Sequence, residues 1–190
     1  MSILDAVAEL TGFLEAEGIP YAVIGGIAVQ YWGESRTTRD VDIVVLVPPD
    51  KTDQFLKHAV DRFHPRIADA VSFAKENRVL LLETSDGTPA DIALGIPGYE
   101  EEALKRAVTG SINGSPPFRL ISAEDLIIHK ILASRPRDLE DAELILVRQH
   151  QRIDMGYVTK WLEAFGAIVE NRDLLAELEE VLRKAQAEQG

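Results

Sequence analysis

The sequence predicts an α/β (α+β) chain in which a mixed sheet flanked by helices is followed by a helical C-terminal half. Short apolar runs bounded by turn residues recur in the first 121 residues, at Tyr21 to Ile24, Val41 to Val47, Val79 to Glu83, Ala90 to Leu94 and Phe118 to Ile121, with helical periodicity between several of them. After Ile121 the strand pattern stops and apolar residues return at helical spacing with few breaks. The division these observations predict is a core at 1–121 and a helical region at 122–190 packed on it.

The first helix is marked by Leu4, Val7, Leu10, Thr11 and Leu14, with Gly18 as its stop before Pro20. The strand Tyr21 to Ile24 ends in Gly25-Gly26, and Ile27 to Trp32 reads as a short helix closed by Gly33. In the next strand Val41, Ile43, Val45 and Val47 alternate with Asp40 and Asp42 and then Val44 and Leu46, so its first half is polar on one face; Pro48-Pro49 ends it. A helix is expected from Lys51 to about Phe63. The strands 79–83 and 90–94 flank the turn sequence Ser85-Asp86-Gly87 and form a hairpin. A helix from Glu100 to Val108 and a short strand, Phe118 to Ile121, come next. The acidic tail keeps Leu174, Leu178, Val181 and Leu182 at helical spacing and forms a final helix.

The 32 acidic and 20 basic residues give a net charge of -12, which argues against a grip on long duplex nucleic acid, since that requires clustered Lys and Arg. With no cysteine, neither disulfides nor thiolate metal sites are available. The first residues carry Asp5 and Glu9 where a signal peptide has a basic stretch and an apolar core, and no apolar run approaches a membrane span. A soluble, cytoplasmic protein without a membrane partner is expected.

The chemistry centres on carboxylates. Asp40 and Asp42, two apart on a strand, project from one face with α-carbons roughly 6.6 Å apart. Two-metal sites and hard Mg²⁺ ions suit such a pair and a metal-assisted phosphoryl transfer. Asp91 interrupts the apolar run Ala90-Asp91-Ile92-Ala93-Leu94, where a lone charge is costly unless it meets a cation. For an isolated Asp-x-Asp, a solvated strand start is the commoner meaning. Here Gly25-Gly26 precedes the pair by one short helix, placing bare backbone amides and a positive helix end where a phosphate can approach. Arg36-Thr37-Thr38-Arg39 offers cations and hydroxyls just before the acids, either for phosphate or simply to balance them. Further on, Lys130 lies on a helix lined by Leu126, Ile127 and Ile131, either reaching toward a triphosphate or snorkelling to solvent. Asp138 and Asp141 follow Pro136 with the spacing of a helix cap, a role that can coexist with ligand binding. His129 reads as a structural helix residue.

The run from Gly25 to Gly33 and then Arg36-Thr37-Thr38-Arg39-Asp40-Val41-Asp42-Ile43 resembles the signature of the DNA polymerase beta-type nucleotidyltransferase superfamily. Within it the chain is similar to the minimal AbiEii-like bacterial enzymes, whose helical motif resembles His129-Lys130 through Arg135-Pro136-Arg137-Asp138 to Asp141. The resemblance implies a nucleotidyltransferase-fold core that moves an NMP from an NTP to an acceptor hydroxyl. It implies two Mg²⁺ ions, with Mn²⁺ a substitute, on the catalytic Asp40, Asp42 and Asp91. Nucleotide binding would fall to Gly25, Gly26, Arg36, Thr38, Lys130 and Asp138. The acceptors it implies are a tRNA end or a protein, in a toxin-like reaction with an antitoxin as partner, ahead of a small molecule such as an aminoglycoside. The alternative is a catalytically silent module of the same fold that binds nucleotide or protein. Many superfamily members have Gly-Ser where this chain has Gly-Gly, so a phosphate contact is missing, with Ser35, Thr37 and Thr38 as candidates to replace it.

Overall fold

A computed structural model describes residues 2–34 and 37–188, and it falls into two units. The first unit takes 1–27 and 37–121, and the second takes 28–36 and 122–190. The segment 28–36, which the sequence groups with the core, therefore clusters with the C-terminal helices.

The first unit holds α1 (Ile3–Ala16), β1 (Tyr21–Val23), the start of α2 (Gly25–Trp32), β2 (Val41–Val45), α3 (Thr52–Arg62), β3 (His64–Pro65), α4 (Ala70–Asn77), β4 (Val79–Glu83), β5 (Pro89–Leu94), α5 (Tyr99–Arg106), β6 (Val108–Gly110) and β7 (Phe118–Leu120). Its strands form one mixed sheet in the order β3-β4-β5-β2-β1-β7-β6. β2 runs parallel to β5 and β1 parallel to β7, while the remaining neighbours are antiparallel. The alternation read from the sequence decides which side is core. Val41, Ile43, Val45, Leu80, Leu82, Ala90 and Ile92 are buried, as are Leu10 and Leu14 of α1 and Phe55, Leu56 and Ala59 of α3. Phe13 meets Phe63 edge to face, with ring centroids 5.3 Å apart.

Three local differences from the sequence expectation have physical causes. Val108 is the first residue of β6 rather than the last of a helix, because it pairs with Leu120 in an antiparallel ladder. The segment between α3 and β4, unassigned from sequence, contains β3 and α4; α4 closes on Arg78, which takes a left-handed conformation and donates to the carbonyls of Leu94 at 2.9 Å and Gly95 at 2.6 Å. α2 starts at Gly25 rather than Ile27, so both glycines lie in its first turn.

The second unit contains the rest of α2 with α6 (Ala123–Ala133), α7 (Pro136–Gln149), α8 (Met155–Gly166) and α9 (Leu174–Glu188). Gln149 donates to the Trp32 carbonyl at 2.6 Å and Arg148 to that of Gly33, which fastens the segment 28–36 to α7. Ser122 caps α6 by accepting from the Asp125 N–H at 3.1 Å. The fully buried Asp125 accepts from the Ser122 hydroxyl at 2.6 Å and the Tyr157 hydroxyl at 2.8 Å, so α6 and α8 share one polar joint. α6 ends at Ser134, again left-handed, and its last carbonyls at Ile131 and Leu132 accept from Arg172 at 2.6 and 2.7 Å. Among the described residues no helix is long and apolar enough to cross a membrane.

Replacing Asp125 with Ala removes the buried acceptor that the Ser122 and Tyr157 hydroxyls share. The expected loss is about 2 kcal/mol of unfolding free energy, measured by urea denaturation.

Candidate active site

Five residues of the first unit come together at one end of β2. In the parallel pair β2 and β5, Asp42 stands directly opposite Asp91. Directly paired residues share a face of the sheet, so the two carboxylates project together, away from the face that carries Val41, Ile43, Ala90 and Ile92. Both are half-buried. Asp40, exposed and just ahead of the strand, accepts from the Thr38 hydroxyl at 2.8 Å. Its negative charge is felt at Asp91. The Asp91 carboxyl titrates above the usual carboxylate range because burial disfavours its charged form; the nearby Arg66 guanidinium opposes that rise and Asp40 adds to it.

The glycines explain how a turn comes so near these acids. Ile24 donates to the Asp42 carbonyl at 2.9 Å, drawing the end of β1 onto β2. Gly25 follows with a φ of +59°, and a β-carbon built on it would sit 2.8 Å from that of Asp42 and still nearer the carboxylate. A β-carbon on Gly26 would lie 2.7 Å from that of Thr38. Only residues without side chains fit, because the Asp42 carboxylate and the Thr38 side chain press against these two positions. The amides that open α2 thus lie beside oxygen donors, at a helix end of the kind a phosphate can approach.

Those donors are hard oxygen ligands of the kind Mg²⁺ takes, and the amides beside them are of the kind that suits a phosphate. Among the described residues no group of three or more Asp, Glu, His or Cys side chains is placed to hold a metal ion, so Asp40, Asp42 and Asp91 are not gathered into the three-acid site that the sequence predicts. A cation that keeps several waters and takes one or two carboxylates together with substrate phosphates needs no such cage.

One member of the site escaped the sequence reading. The charge at Asp91 was expected to meet a cation, and the structure supplies Arg66, whose Nη2 donates to Asp91 Oδ1. Arg66 follows a two-residue strand and lies in no motif. Its only signal was the acid it serves, a carboxylate in an apolar strand that demands a cation from somewhere in the chain.

Of the remaining sequence candidates, Lys130 and Asp138 belong to the second unit. Arg36 and Ser35 lie outside the described residues, and Thr37 is exposed. Lys130 neither snorkels nor hangs free: its ammonium is held at 2.8 Å from both Asp138 and Asp141, with side chains 9%, 13% and 3% exposed. Asp138 lies within α7 rather than at its cap, because the helix already begins at Pro136. Its Oδ2 is buried without a hydrogen-bond partner among the described residues. The His129 ring is kept neutral by burial, which pushes its pKa down to about 4.

The architecture is that of a nucleotidyltransferase. The chain is similar to the solution structure of the antibiotic-resistance factor ANT(2″)-Ia, with a TM-score of 0.61 and 16% identity over 87% of this chain and 94% of that one. It is also similar to the crystal structure of ANT(2″)-Ia in complex with adenylyl-2″-tobramycin, with a TM-score of 0.58 and 16% identity over 88% and 98% of the two chains. At that identity the likeness is one of fold. The chain belongs to the family of nucleotidyl transferase AbiEii toxins of type IV toxin-antitoxin systems, whose sequence profile matches residues 13–189. No curated protein sequence matches it.

Two outcomes follow from the second unit. Lys130→Met leaves two carboxylates facing each other in a dry place and is expected to cost about 3 kcal/mol in denaturant unfolding, far more than a surface lysine would. His129 titrates near 6.5 when unfolded and about 4 when folded, so the unfolded chain takes up its proton first. Stability therefore falls as pH drops from about 6.5 toward 4. His129→Gln should flatten that part of the stability curve relative to wild type.

Proposed function

We propose that this chain transfers an NMP from an NTP to an acceptor hydroxyl in a Mg²⁺-dependent reaction at Asp40, Asp42 and Asp91. The observation that carries the reading is the direct opposition of Asp42 and Asp91 beside a turn that only glycine can form. The amides at Gly25 and Gly26 hold the phosphates, and the Thr38 hydroxyl, 2.8 Å from Asp40, stands where the Gly-Ser form of the motif would offer its own hydroxyl. When bound, Mg²⁺ would be held by one or two of Asp40, Asp42 and Asp91 at a time together with the substrate phosphates, and would supply charge neutralisation at the α-phosphate and at the leaving pyrophosphate.

The acceptor oxygen attacks the α-phosphorus in line. A new P–O bond forms, the bond to the β-phosphate breaks, and pyrophosphate leaves. Asp91 orients the attacking hydroxyl and takes its proton, a role suited to a carboxyl whose pKa stands above the ordinary range. Lys130 is taken up by Asp138 and Asp141, so the scheme gives it no phosphate.

For the acceptor, membership of a toxin family favours a tRNA end or a protein, with an antitoxin as the regulating partner. A small molecule comes second, supported by the adenylylated tobramycin bound to a protein of like fold. The net charge of -12 suits an acceptor that presents only a small contact, such as the end of a tRNA, rather than a long duplex.

The test is transfer of label from an α-³²P NTP to total tRNA, cell extract or aminoglycosides, with and without Mg²⁺. Asp42→Asn is expected to lower transfer by at least about 10³-fold, a barrier increase of about 4 kcal/mol, with an unchanged circular dichroism spectrum. Wild-type transfer that survives in Asp42→Asn would overturn the assignment. Calorimetric NTP binding without any labelled product would point instead to a binding module.

A further inference from the structure

Arg66 is placed by backbone register rather than by chance of a flexible arm. Its N–H donates to the Leu81 carbonyl at 3.1 Å, and Leu81 is the residue of β4 that pairs with Asp91 of β5. Residue 66, Leu81 and Asp91 thus lie in one row across the sheet, and the guanidinium is delivered onto the carboxylate. It grips through a single nitrogen, Nη2, while Nε is buried with no hydrogen-bond partner among the described residues. A structural arginine on a carboxylate commonly presents two nitrogens in a fork. Here one prong does the work, and the pair stays within reach of solvent, with side chains 26% and 37% exposed.

Asp91 therefore has two suitors. A divalent cation drawn to the acids and the Arg66 guanidinium seek the same oxygens, and each also repels the other. We propose that Arg66 is the resident counter-cation of Asp91 and competes with the divalent metal for that carboxylate, limiting when the third acid joins the metal site. Arg66 is thereby a positioning residue that acts through Asp91. With the metal absent it holds the Asp91 carboxylate in place through Nη2; with the metal present it must yield. This inference rests on the metal reading above and adds a regulator to it.

The test is Mn²⁺ binding to the full chain, followed by calorimetry and by the electron paramagnetic resonance of free Mn²⁺. It is run at about pH 8, well above the ordinary carboxylate range. Arg66→Met removes both the competition and the repulsion, so its Mn²⁺ affinity should rise about tenfold, equivalent to about 1.4 kcal/mol. In the double variant Arg66→Met/Asp91→Asn that gain should vanish. Arg66→Lys keeps a charge without the fork and should fall between wild type and Arg66→Met; it also serves if the methionine variant does not fold.

An unchanged or weaker affinity in Arg66→Met or Arg66→Lys, or a gain that persists without the Asp91 carboxylate, overturns the proposal. A merely structural arginine would not tighten metal binding when removed. Asp42→Asn in the same titration separates the two levels. If it leaves Mn²⁺ binding intact, the metal reading itself fails and this inference with it; if it weakens binding while Arg66→Met strengthens nothing, only the competition fails.

Discussion

The placement of like charges side by side on neighbouring strands is the constraint around which the first unit is arranged. Asp42 and Asp91 face each other across the parallel pair β2 and β5, with Asp40 near enough to disturb the titration of Asp91. Such an arrangement is unfavourable by itself, and the surrounding chain offsets it in identifiable ways. Thr38 donates a hydroxyl to Asp40, Arg66 gives a cation to Asp91, and both acids of the sheet stay partly in contact with water. The opposite face is occupied by close-packed aliphatic side chains that hold the two strands in register, because a slip of one residue would turn the acids into the core.

Much of this was legible in the sequence because it depends on short periods. The two-residue alternation along 41–45 and 90–94 fixes which side chains face together, and the paired glycines announce a backbone that passes close to something. The strand order was not legible: that β2 lies beside β5 rather than beside β4 follows from long-range pairing that local patterns do not encode. Arg66 was hidden for the same reason, since it reaches Asp91 only through a strand two residues long, 25 positions earlier in the chain. Val108 shows how a helical pattern yields when a neighbouring strand offers a ladder partner. Asp138 shows a turn signal displaced two residues by a proline that starts the helix sooner.

The second unit solves a different electrostatic problem with the same economy of means. Its charges are arranged as closed groups: the buried Lys130 between Asp138 and Asp141, and the partly exposed Arg172 shared between Glu177 and the open end of α6. In each case the cation meets more than one acceptor, and for Lys130 this compensates its burial locally. Arg172 holds two carbonyls 40 and 41 positions before it in the sequence, which makes the end of one helix depend on the start of another.

The carbonyls of Trp32 and Gly33 are held by Gln149 and Arg148, partners 117 and 115 positions further along the chain. A ribosome has therefore released most of the protein before this early stretch can find its anchors, and folding must wait on distant contacts. The same long stitch means that scissors placed after residue 121 would not deliver a self-contained first half, because they would orphan a segment whose bonding companions were discarded. Any attempt to divide this molecule must cut it twice, and must carry 28–36 away with the helices that follow.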